Sequence, residues 1–118
     1  MSDIVEMRLF VEKGLCPVLA TLSQLPGAAR CRCMARLKLL QHLGTEVGHP
    51  INSDLPICYV RVANGSGNVF ILFSTHASTI VLLHAVASLG PLDSEAVSCA
   101  TTRHRLFVSN PEKHTYGE

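Results

Sequence analysis

The groups best able to do chemistry in this chain are Arg61, in the run Ile57-Cys58-Tyr59-Val60-Arg61-Val62, and His84, in Ile80-Val81-Leu82-Leu83-His84-Ala85-Val86. Arginine stays charged and can meet an anion, or negative charge developing in a transition state. Histidine can move a proton near neutral pH. Strand alternation puts Tyr59 on the same face as Arg61. Both residues also have a purely structural reading. Arg61 suits an ion pair with Glu6 or Asp54, and His84, within an apolar run, suits a hydrogen-bonded core position.

Arg30, Arg32, Arg36 and Lys38 form the basic cluster of the chain. At about 100° per residue they spread around a helix, which fits a solvated flank as well as contact with nucleic acid or ribosome. Five cysteines occur, scattered and odd in number, so no disulfide framework is indicated. Cys31 and Cys33 would leave a helix in nearly opposite directions, and no Cys-x-x-Cys or His-x-x-x-His spacing is present. No metal and no cofactor is therefore expected.

These residues must be held by a fold, and the stretch from Leu55 to Val86 organises it. Ile57 to Ala63, Asn68 to Ser74 and Thr79 to Ala87 have strand length and composition. The breaks at Asn64-Gly65-Ser66-Gly67 and Thr75-His76-Ala77-Ser78 are short, so the spacing predicts a three-stranded antiparallel meander. Ile4 to Val11 reads as a first strand. Pro17 to Leu22 reads as a short helix, and Gly27 to Leu43 as a longer one that buries Ala29, Cys33, Leu37 and Leu40 and stops at Gly44. Thr45 to Asp54 is expected to be an ordered loop. Asp93 or Ser94 can cap a last helix that uses Ala96, Val97, Ala100 and Phe107.

The whole is expected to be one α+β domain over residues 1–109, followed by a flexible tail at 110–118. A chain of 118 residues, 47% hydrophobic, is long enough for a single core. No apolar run reaches the roughly 18 residues that span a bilayer. Acids at Asp3 and Glu6 oppose a signal peptide, so a cytoplasmic location and no membrane are expected. A net charge of +1 supplies no strong global field for nucleic acid.

Leu22 to Pro50, LSQLPGAARCRCMARLKLLQHLGTEVGHP, resembles the helical hairpin of the RelE/ParE toxin superfamily, in particular its phage-derived Gp49-like and HigB-like toxins. Ile57 to Val62 is similar to that family's "lyELRv" phrase, Asn68 to Phe73 to its "niyRvlYf", and Ile80 to Val86 to its "ivlLhgF". The resemblance covers Leu19 to Pro91. It implies an N-terminal strand, a helical hairpin, a three-stranded meander and a C-terminal helix. It also implies a small toxin paired with a cognate antitoxin of the helix-turn-helix type, acting on ribosome-bound mRNA as an endoribonuclease or, in ParE types, on DNA gyrase. The family's second sheet arginine falls on Ile71 and its tyrosine on Phe73. Its lysine pair falls on Ser88 and Leu89, so the catalytic positions are degenerate.

On this resemblance Arg61 and His84 are the catalytic candidates, and Tyr59, Arg30, Arg36 and His104 the substrate-binding ones. Cleavage by the ribose 2′-hydroxyl needs a base, a cation for the phosphorane and an acid for the leaving oxygen. Arg61 fits the cation, and His84 the acid or base. The expected register gathers Tyr59, Arg61, Ile71, Phe73, His84 and Val86 on one face, while Cys58, Val60, Val62, Phe70, Leu72, Val81 and Leu83 meet the helices. The first face is then an interaction surface, covered by the C-terminal helix, a second copy of the chain (a homodimer) or an antitoxin segment. A non-enzymatic binding protein on the same scaffold is the alternative function.

Overall fold

The computed structural model describes residues 6–44, 48–76 and 78–116. Ile4 and Val5 of the expected first strand, residues 45–47 of the linker, Ala77 of the second turn and residues 117–118 of the tail lie outside the described residues. The element order is β1 (Glu6–Phe10), α1 (Pro17–Ser23), α2 (Gly27–Leu43), β2 (His49–Pro50), β3 (Ile57–Asn64), β4 (Gly67–His76), β5 (Thr79–Ser88), α3 (Ser94–Ser109) and β6 (Thr115–Tyr116). The fold is α+β, with a mixed sheet in the order β2-β3-β4-β5-β1-β6.

The meander forms as read. Gly65 has φ +60° and Asn64 pairs with Gly67, so the β3–β4 loop is two residues long with a glycine at its first central position. That is the II′ arrangement, whose twist matches the flanking strands. Strand β1 then inserts beside β5 in parallel, which a strand can do when helices form the crossover between them.

Two features differ from the expected four strands. Within the linker, His49–Pro50 pairs with Tyr59 and Cys58 as a two-residue edge strand. At the C-terminus, Thr115–Tyr116 pairs with Phe10 and Leu9, so the described part of the expected tail is docked. His114 anchors it. The imidazole stacks on the Phe10 ring at 5.4 Å with only 6° between planes, and its Nδ1 donates to the Val11 carbonyl at 3.1 Å. No hydropathy signal marks either short strand, because two residues cannot show a period.

The sheet is covered on both sides. On one, α1 and α2 bury Val18, Leu22, Ala29, Cys33, Leu37 and Leu40 against Val60, Val62, Val69, Ile71, Phe73, Ile80 and Leu82. On the other, α3 lays Ala100 and Phe107 over Ile57, Phe70, Leu72, Val81 and Leu83. Strands β4 and β5 read as nearly unbroken apolar runs because both of their faces are buried. Helix α3 starts where Asp93 accepts from the Ala96 amide at 2.9 Å, so of the two expected caps Asp93 is used.

The register corrects the expected faces. Because Asn64 pairs with Gly67, odd-numbered residues of β3 face even-numbered residues of β4: Tyr59 pairs with Leu72, Arg61 with Phe70, and Val60 with Ile71. Ile71 and Phe73 therefore lie under α1 and α2, fully buried, and do not share a surface with Arg61. A one-residue difference in register exchanges every side chain between faces. Cys58, Val60 and Val62 likewise part from Phe70, Leu72, Val81 and Leu83, which meet α3. Among the described residues no helix is long and apolar enough to cross a membrane.

Candidate functional site

The site is built on the α3 side of the sheet. Tyr59, Leu72 and His84 form one row across β3, β4 and β5, and Arg61, Phe70 and Val86 form the next. Arg61 and His84 thus share a face, as the sequence suggested, but in neighbouring rows of different strands. Arg61 is exposed, and its side chain makes no hydrogen bond or ion pair among the described residues. Neither of its expected partners pairs with it among the described residues. Glu6 pairs with Arg8 at 2.7 Å and accepts from Thr79, while Asp54 sits in a turn held by Asn52.

His84 is half-buried beneath α3. Its Nδ1 lies 2.8 Å from Nη1 of Arg103, which also donates to the Leu83 carbonyl at 3.0 Å. Guanidinium has no lone pair to offer, so Nδ1 is the acceptor and the ring proton sits on Nε2. Cys99 Sγ approaches the same Nδ1 at 3.8 Å. Burial, and then the positive charge of Arg103, push the His84 pKa below its ordinary value, against a smaller opposing pull from Asp93. The imidazole is held neutral with its basic nitrogen occupied. A general base needs that lone pair and a general acid needs the second proton; this histidine has neither in place.

Tyr59 is half-buried, its ring 5.4 Å from that of His49 on β2 and 5.8 Å, edge-on, from Phe70. Beside the exposed Arg61 this makes a small platform of two rings and a guanidinium at the β2–β3 edge. Stacking rings next to a cation can hold a flat or anionic group by its face and its charge.

The other candidates do not converge there. Arg30 and Arg36 lie on α2, on the opposite side of the sheet from Arg61 and His84. His104 is on α3 but points elsewhere. Its Nδ1 is 2.9 Å from the hydroxyl of the fully buried Ser74, four residues along β4 from Phe70, or about 13 Å. Burial, and then His76, lower its pKa. Nearby, Glu6, Arg8, His76, Thr79, Phe107 and Glu112 line an open cleft of about 290 Å³. Among the described residues no three His, Cys, Asp or Glu side chains gather as a cation site.

Three residues of the site went unread in the sequence. Arg103 and Cys99 carry a signal in hindsight, since Ala96, Ala100, Arg103 and Phe107 follow the helical period and place a cation on the apolar stripe of α3. His49 carries none, because its neighbour is set by pairing with Tyr59. Comparison with family models, with curated proteins and with solved structures finds no match to this chain.

Proposed function

We propose that this protein is the toxin-like member of a type II toxin–antitoxin pair and that it acts by binding rather than by cutting RNA. The reading rests on the phrases that resemble the RelE/ParE superfamily and on the order of strand, two helices, meander and helix. The single observation that carries the second half is the 2.8 Å contact from Arg103 to Nδ1 of His84. It removes from His84 the proton chemistry that cleavage requires. What remains on that face is Arg61 with the rings of Tyr59 and His49. That set can hold an anionic or aromatic group by charge and by stacking. The partner expected for such a protein is a cognate antitoxin, and the cellular target is the ribosome with its mRNA or DNA gyrase.

Inducible expression tests this in one experiment, with transcript 5′ ends mapped and a DNA-damage reporter read in parallel. The expected result is intact mRNA, whether or not growth slows. New 5′ ends on ribosome-bound transcripts that vanish in Arg61→Ala would overturn the binding reading in favour of an endoribonuclease. Co-purification with a small helix-turn-helix protein expressed from the adjoining reading frame supports the pairing. Failure to bind any such neighbour removes it.

A further inference from the structure

The face of the sheet away from Arg61 carries a second feature, independent of the toxin-type reading. Helix α2 packs on β3 and α1 packs on β5, so β1 is only partly covered on that side. The gap is a groove of about 350 Å³. Met7 and Leu9 of β1 and Leu82 of β5 form its floor, and Leu19, Met34 and Leu37 of the helices its walls. Leu19 is 43% and Met34 50% exposed, so these large apolar side chains stand in water at its mouth. An apolar hollow flanked by exposed apolar residues is the surface type that partners cover.

The rim has a sign. Arg30, Met34 and Lys38 follow one another at four-residue spacing, which stacks them along one line of α2, and Lys38 borders the groove itself. Both cations are exposed, and neither has a carboxylate partner among the described residues. From Pro17 to Leu43 the two helices contain no Asp or Glu at all. A second copy of this chain would bring the same cationic rim to the contact, setting Arg30 and Lys38 against their like with no acid between them. A small apolar molecule would find no buried polar group to orient it.

We infer that the groove docks an amphipathic helix of a partner protein, apolar along one stripe and acidic along the flank that meets Arg30 and Lys38. The wall from Met34 to Gln41 runs two helical turns, about 10 Å, which matches the i, i+4, i+7 anchors of a helix lying in a groove. The apolar stripe supplies the burial, and the acidic flank pairs with the rim and sets the direction of docking.

Fluorescence anisotropy tests this with two labelled helix-forming peptides of eighteen residues that share a leucine stripe and differ only in having Glu or Lys on the flank. The Glu-flanked peptide is expected to bind saturably and more weakly as salt rises, and the Lys-flanked peptide at least about tenfold more weakly. Replacing both anchors, Leu19→Ala with Met34→Ala, is expected to cost at least about tenfold in affinity. These side chains are exposed, so the melting temperature checks that the fold is kept. Arg30→Glu with Lys38→Glu is expected to reverse the preference between the peptides. Absence of binding, equal binding of both peptides, or indifference to the anchor changes would overturn the inference. So would a dimer in sedimentation that the anchor changes dissociate, because the occupant would then be a second copy.

Discussion

Arg103 of α3 donates to Nδ1 of His84 on β5 across 2.8 Å, and the same guanidinium nitrogen closes on the Leu83 carbonyl. One side chain on the apolar stripe of a helix thereby decides the tautomer and the charge of a residue on the sheet beneath it. The contact converts a histidine that looks chemically available in the sequence into a hydrogen-bonded fixture of the α3 interface. It also places a cation inside that interface, 5.9 Å from the centre of the Phe10 ring.

The pH dependence of folding is the first consequence. His84 and His104 both titrate below 6.5 in the folded protein, the ordinary imidazole value that the unfolded chain recovers. Their contribution to stability is therefore complete above about pH 6.5 and is lost as pH falls through 6.5 towards the folded values, because the unfolded state binds those protons first. Thermal melts between pH 7.5 and 5 should show stability declining in that window. In two-dimensional NMR titrations Arg103→Ala should move the His84 midpoint upward, and it should also cost about 1–3 kcal/mol through the unmet hydrogen bonds.

Register gives a sharper contrast between two neighbouring positions. Ile71 is fully buried under α1 and α2, and Arg61 is exposed on the far side of the sheet. Ile71→Arg should abolish folding, since it forces an unpaired charge into a packed core. Arg61→Ala should leave stability within about 0.5 kcal/mol. Far-ultraviolet circular dichroism and urea melts read both. A folded Ile71→Arg protein would mean that the two faces had been exchanged.

The docked segment that carries His114 and β6 is testable by truncation. Ending the chain after Asn110 removes the His114 ring from Phe10, the two hydrogen bonds that link residues 11 and 114, and strand β6. Phe10, now wholly buried, gains exposure, and the loss should be at least about 2 kcal/mol by urea denaturation. His114→Ala should reproduce much of it. A truncated chain as stable as the intact one would reduce residues 110–116 to the tail that composition suggested.

Helix α3 depends on the cap that precedes it. Asp93→Ala removes the acceptor for the Ala96 amide and should cost about 1 kcal/mol. It should also lower the His84 midpoint further, since Asp93 is the one group that pulls it upward. Asp93→Asn separates the two effects: it keeps the cap and lifts the charge. If the His84 midpoint stays still in both variants, Asp93 acts on the helix alone.

The chain by itself determined its longer elements. Strand composition and short turns placed the meander, and Ala29, Cys33, Leu37 and Leu40 named the buried stripe of α2, because both are periods written into neighbouring residues. Tertiary structure alone decided which side of the sheet each residue faces. A two-residue loop pairs Asn64 with Gly67, and that offset set Ile71 and Phe73 on the opposite face from Arg61, while the β4–β5 register set His84 beside Leu72. It alone brought Arg103 to His84, nineteen residues apart, and His114 to Val11, more than a hundred apart. Local spacing is read along the chain, but the charge and tautomer of a side chain depend on what distant segments set beside it.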